Sequence, residues 1–206
     1  MAALRIGLVD TGVNPWHSHV RGRVAGCRLF LEEAEIREDD DFRDPVGHGT
    51  AVAGILREAL PEAGLFAVRV FGEDGVTYPS LVARGVLRAA AAGCAFVNLS
   101  LGLPPGPGSA PLAEACATAI EAGCVLVAAV HPEHPDWLPA ALPGVFAVTA
   151  DDRLPFGEVR ADADDPLLLS APGRPRDLLG LPRDANLWGH SFACARALVH
   201  LAQSVG

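Results

Sequence analysis

Residues 95–130 read AFVNLSLGLPPGPGSAPLAEACATAIEAGCVLVAAV. Two short apolar runs, AFVNLS (95–100) and CVLVAAV (124–130), suit buried strands, and between them the pattern at 111–122 repeats its apolar residues at helical spacing. The Pro/Gly-rich LPPGPGSAP (103–111) reads as a surface loop inside this unit, because the alternation of strand and helix continues through it. Strands that are apolar on both faces and alternate with helices predict a mostly parallel central sheet covered by helices on both sides, a three-layer α/β fold.

The same pattern extends outward. Further strand-like runs occur at LRIGLVD (4–10), GRVAGCRLF (22–30), LFAVRVF (65–71), VFAVTA (145–150) and PLLLS (166–170), and helical patterns at 49–60, 79–92 and from Ser191 onward. With 206 residues, 50% of them hydrophobic, the chain can bury a sizeable core and is expected to form one domain over 1–206. In such sheets, functional residues gather at the carboxyl ends of the strands.

The net charge of −9 argues against general affinity for nucleic acid or an anionic membrane, both of which favour a basic surface. Five cysteines, odd in number and without CxxC spacing, lie mostly in apolar segments, as buried reduced thiols do. The chain passes from Met1 directly into a strand pattern with no charged-then-apolar leader, and a cytoplasmic location is the expectation. Two loops stand out. Residues 31–44, LEEAEIREDDDFRD, carry eight carboxylates against two arginines and read as a solvated loop, or else as a cluster that prefers basic substrate residues or holds a cation. In VHPEHPDW (130–137), Pro132 and Pro135 break any helix that would align the histidines and carboxylates, so no metal is expected there.

Three residue types at element ends carry the chemistry. Asp10 closes the first strand in VDTG, where a turn residue or helix cap is the plain alternative. His48 sits between two glycines in GHGTAVAGIL (47–56), at the start of a helix. Ser191, in GHSFA (189–193), is a favoured helix N-cap and is equally well placed for nucleophilic attack, since free N–H groups and the helix dipole favour a developing oxyanion. Nucleophilic hydrolysis needs these three types in these roles.

The motifs VDTG, GHGTAVAG (47–54), VNLSLG (97–102) and GHSFA, in the order Asp, His, Ser, resemble those of subtilisin-like serine proteases, the subtilases. The resemblance implies that Ser191 attacks a peptide carbonyl, that His48 takes its proton, and that Asp10 holds the imidazole. It also implies that Ser100, Leu101 and Gly102 form the wall along which an extended substrate backbone bonds like an added strand. No cofactor is implied, and the partner is a peptide or protein substrate, with no partner chain specified. Where the family usually carries AAGN, this chain has AAVH (128–131), which puts His131 in the place of the oxyanion-stabilising asparagine. A neutral imidazole can donate one N–H, so His131 is a candidate substitute. The resemblance also implies that the family's calcium ligands are replaced: His19 stands where an aspartate would, and the loop after the His48 helix is short. The overall resemblance is to a reduced, intracellular type that cuts a specific precursor. The rival expectation is a weak or silent subunit of the same fold that binds peptides or a partner protein.

Overall fold

The computed structural model describes residues 4–176, 180, 182 and 185–205. In chain order it consists of β1 (Arg5–Asp10), β2 (Val24–Glu32), β3 (Glu35–Asp39), α1 (His48–Ala59), β4 (Gly64–Arg69), α2 (Pro79–Ala91), β5 (Phe96–Leu99), α3 (Ser109–Glu121), β6 (Val125–Ala129), β7 (Phe146–Ala150), β8 (Arg160–Ala161), β9 (Leu168–Ala171) and α4 (His190–Ser204). All strands join one sheet in the order β3-β2-β4-β1-β5-β6-β7-β9-β8. The inner strands run parallel, and the antiparallel β3 and β8 close the two edges.

Two-residue periodicity sorts the strand side chains onto two cores. Val9, Val97, Leu126 and Ala128 pack with α2 and α3 on one face. Ile6, Leu8, Phe96, Val127 and Ala129 pack with α1 and α4 on the other. Both faces being buried, the strands need continuous apolar sequence rather than alternation, and each fully buried Leu or Val contributes about 1.5–3 kcal/mol.

The topology also places the site. From β1 the chain first builds outward through β2 and back to β4, then crosses to β5 on the other side of β1, so the winding reverses between β1 and β5. A crevice opens outside the carboxyl ends of strands at such a switch point. Parity then selects the residues that face it: Asp10 shares the face of Leu8, Ser100 that of Phe96, and His131 that of Ala129, all on the side of α1 and α4.

The acidic stretch 31–44 corrects the expectation of a solvated loop. Glu35–Asp39 pairs antiparallel with β2 through a tight turn in which Glu33 and Ala34 adopt positive φ of 51° and 65°. Its charges are largely matched: Arg28 bonds Asp39, Arg37 pairs with Glu35 at 2.8 Å, and Arg88 reaches Glu38 at 2.8 Å. A short charged edge strand also resists pairing with foreign strands. Among the described residues, no group of three or more His, Cys, Asp or Glu is arranged to hold a metal ion, and no helix is long and apolar enough to cross a membrane.

Candidate active site

Asp10 ends β1 with 1% of its surface exposed. Its Oδ1 accepts from the Thr11 amide at 2.7 Å and meets His48 Nδ1 at 2.7 Å, while Oδ2 is buried with no partner. The sharp turn after Asp10 depends on Gly12, whose φ of 114° favours glycine and whose missing Cβ would lie 2.7 Å from the carbonyls of Phe42 and Arg43. His48 is the first residue of α1, directly after Gly47 in a left-handed conformation. The next residue must be small, because a Cβ on Gly49 would stand 2.1 Å from the Gly12 carbonyl and 3.1 Å from Asp10 Oδ1. Burial pulls the His48 imidazole toward neutrality. The charge and hydrogen bond of Asp10 outweigh that, with Asp44 adding to them, and leave its pKa above the ordinary 6.5.

Ser191 is not the N-cap. That position is Gly189, His190 is the first residue of α4, and Ser191 lies within the first turn. Its hydroxyl is therefore free of capping and donates instead to the Ser100 carbonyl at 3.3 Å. In return Ser100 Oγ donates to the Ser191 carbonyl at 3.0 Å and accepts from Asn98 Nδ2 at 2.7 Å. The end of β5 and the start of α4 are thus tied by reciprocal bonds. The Phe192 ring, next in sequence, lies 5.8 Å from the His48 ring, which brings the first turns of α1 and α4 together.

His131 follows β6, and its Nδ1 accepts from the Glu133 amide at 3.3 Å. That bond assigns the ring proton to Nε2, which leaves an N–H to donate elsewhere. The ring packs tilted by 39° against Trp137 at 4.2 Å, and Trp137 in turn stacks on His134 at 4.8 Å and 6°. A cavity of about 280 Å³ is lined by Ser100, Leu101, Gly102, His131, His190 and Ser191, among others. The sequence-predicted wall, oxyanion candidate and nucleophile candidate therefore share one space, with His48 at the neighbouring helix start and Asp10 at the end of β1. A larger cavity, about 420 Å³, lies beside Gly47 and Thr50 and includes none of Asp10, His48 and Ser191.

Of the residues at the site, Asn98 and Asp44 were not singled out by sequence. Asn98 supports Ser100, and its signal was only its place in VNLSLG. His190 lines the cavity with Nδ1 buried and unpartnered, and burial, then the neighbouring His131 imidazole, lower its pKa. Asp44, counted among the solvated carboxylates, is 6% exposed beside the start of α1. Chemically the arrangement offers a hydroxyl in the first turn of a helix, an imidazole oriented by a buried carboxylate, and a second imidazole, that of His131, lining the same cavity as the hydroxyl.

Comparison with known proteins finds relatives of this fold. The model of the Subtilase family matches residues 2–156, ending before β8, β9 and α4. Subtilisin DY of Bacillus licheniformis is 29% identical over 84% of this chain and 65% of its own length. The major intracellular serine protease of Bacillus subtilis (strain 168) is 29% identical over 63% of this chain and 43% of its own length. The chain thus spans less than two thirds of the length of either relative. A solved cold adapted subtilisin-like serine proteinase has a TM-score of 0.76 at 23% identity, covering 98% of this chain and 75% of that one, a likeness of fold.

Proposed function

The chain belongs to the subtilase family, and on that premise we propose that it is a serine endopeptidase acting through Asp10, His48 and Ser191. The observation that carries the reading is the 2.7 Å contact of His48 Nδ1 with the buried Asp10, at a helix start packed beside the one that bears Ser191. In this mechanism the Ser191 hydroxyl turns from the Ser100 carbonyl toward His48. Its Oγ bonds to the substrate carbonyl carbon as His48 Nε2 takes the proton. Collapse of the tetrahedral intermediate breaks the C–N bond, and His48 returns the proton to the leaving amine. Water then repeats the sequence to release the acyl group. Asp10 holds the imidazole tautomer and stabilises the imidazolium. The developing oxyanion is met by the first-turn amides of α4 and by His131 Nε2–H, while Ser100, Leu101 and Gly102 bind the extended substrate backbone.

The finer proposal is a dedicated peptidase that trims a specific peptide or protein precursor, built as a single domain and working in the cytoplasm. The match to an intracellular relative supports that location. A second reading, a silent scaffold that binds peptides, is favoured by one observation: the Ser191 hydroxyl is bonded to the Ser100 carbonyl, not to His48.

A fluorophosphonate probe separates the two. Labelling of the natural chain that disappears in Ser191→Ala, and nearly so in His48→Ala, is the result expected of a peptidase, because the members of such a triad act as a unit. A folded natural chain that takes no label establishes the scaffold instead.

A further inference from the structure

Asp44 is a buried carboxylate for which the peptidase reading has no role. Five donors converge on it: Thr11 Oγ1 at 2.9 Å, the Val46 amide at 3.0 Å and the Gly47 amide at 2.8 Å on Oδ1, and the Thr50 amide at 2.8 Å and Thr50 Oγ1 at 2.7 Å on Oδ2. Both oxygens only accept, so an ionised carboxylate fits, whereas a carboxamide would set its N–H₂ against amide N–H groups. The surrounding bonds cross between segments. Thr11 Oγ1 accepts from the Gly49 amide at 2.9 Å while donating to Asp44, and the Asn14 amide donates to Thr50 Oγ1 at 3.1 Å. The Asp44 backbone is fixed as well, with its amide on Asn14 Oδ1 at 3.2 Å and its carbonyl accepting from Asn14 Nδ2 at 3.1 Å. The loop after β1 and the first turn of α1 are therefore stapled together through this one side chain. No side chain caps α1 at Gly47 itself, so Asp44 supplies the cap from three residues earlier.

We propose that Asp44 is a positioning residue for His48: it locks the start of α1 against the end of β1, which sets the Asp10–His48 contact, and it holds a second negative charge near the imidazole. The role rests on the reading of His48 as general base. Among the described residues, the charged groups that bear on His48 are Asp10, from β1, and Asp44, from the loop before α1, and from α4 it meets the Phe192 ring. Burial alone would push the Asp44 carboxyl up. The bonds from Thr50, Gly47 and Thr11 more than reverse this and keep it below the ordinary value, so the charge persists at neutral pH.

The test is Asp44→Asn, read two ways. The first follows His48 by ¹⁵N NMR of its ring nitrogens as a function of pH. A negative neighbour favours the protonated imidazole, so removing it should lower the His48 midpoint by about half a unit or more. The second is peptide hydrolysis. The neutral imidazole is the base, so the acid limb of the rate profile should move to lower pH with the midpoint. kcat should fall about tenfold or more while KM stays within about twofold. An unmoved His48 midpoint, or an unchanged kcat, overturns the proposal. The NMR reading does not depend on turnover: a folded natural chain that takes no fluorophosphonate label refutes the peptidase, whereas an unmoved midpoint refutes the role of Asp44. Should Asp44→Asn not fold, Thr50→Val removes one donor and keeps the charge. A several-fold loss of kcat restored by Thr50→Ser then supports the staple, and full activity in Thr50→Val overturns it.

Discussion

At the scale of single residues, the site is decided by where each polar atom finds a partner. The Nδ1 of His131 is occupied by the Glu133 amide and its ring is braced by Trp137, so the imidazole is presented to the cavity in one tautomer. Its loss is expected to be felt in turnover rather than folding, because the ring is only half-buried and lies in a loop. One oxyanion donor is worth roughly 10²–10³ in kcat where it is well aimed. His131→Ala should therefore lose tenfold or more in peptide hydrolysis, and His131→Asn should recover much of it, since an amide N–H can replace the imidazole N–H. Equal kcat in the natural chain and His131→Ala would assign the oxyanion to backbone amides or to His190. The opposite face of the same logic is Asp10 Oδ2, buried without a partner while Oδ1 carries two contacts. That asymmetry points the carboxylate's usable oxygen at His48.

At the scale of elements, two helix starts are brought to the carboxyl ends of the central strands, and the closeness of α1 to β1 depends on a missing side chain. The 2.1 Å that would separate a Gly49 Cβ from the Gly12 carbonyl is far inside van der Waals contact, and the obstacle is backbone, which cannot swing aside. Gly49→Ala is expected to push the first turn of α1 away from β1. The strain should destabilise the fold by about 1–3 kcal/mol in denaturant titration. A displacement of about 1 Å at His48 should slow probe labelling of Ser191 by on the order of 10²-fold. Natural labelling in Gly49→Ala would show that α1 tolerates a shift that leaves His48 in place. The β2–β3 hairpin is the contrasting case: its charged outer strand closes the sheet and stands apart from the chemistry, although Asp44, only five residues past its end, is bonded to Thr11 and to the first turn of α1.

At the scale of the whole molecule, two cores on either side of one sheet leave the thiols inside. All five cysteines are free and buried. Burial pushes Cys27 up to about 11 and Cys94, Cys116 and Cys194 up to about 12, so almost no thiolate forms at neutral pH. The native chain should react negligibly with a disulfide reagent such as DTNB at pH 8, and all five thiols should titrate once guanidinium unfolds it. Prompt reaction of even one in the native state would reveal local opening of a core or a packing looser than described. The reading of buried, reduced thiols from their apolar surroundings agrees with the structure because burial of a small apolar-like group follows local hydrophobicity.

The local periodicities carried the architecture: strand runs apolar on both faces, helices between them, and Asp10, His48 and Ser191 each at an element end were all legible in the residues, as was the family resemblance of their motifs. These signals are readable because side-chain direction repeats every two residues in a strand and every three to four in a helix, whatever the rest of the chain does. The tertiary structure alone decided what depends on distant donors. Asp40 and Asp44 look alike in the acidic run, yet Asp44 is buried because Thr11, 33 residues earlier, and Thr50 supply it with hydrogen bonds. The antiparallel pairing of Glu35–Asp39 and the Ser100 carbonyl that holds the Ser191 hydroxyl likewise arise between segments. A buried charge or a directed hydroxyl is stable only where partners converge in space, and that convergence is set by the packed sheet and helices, not by sequence neighbours.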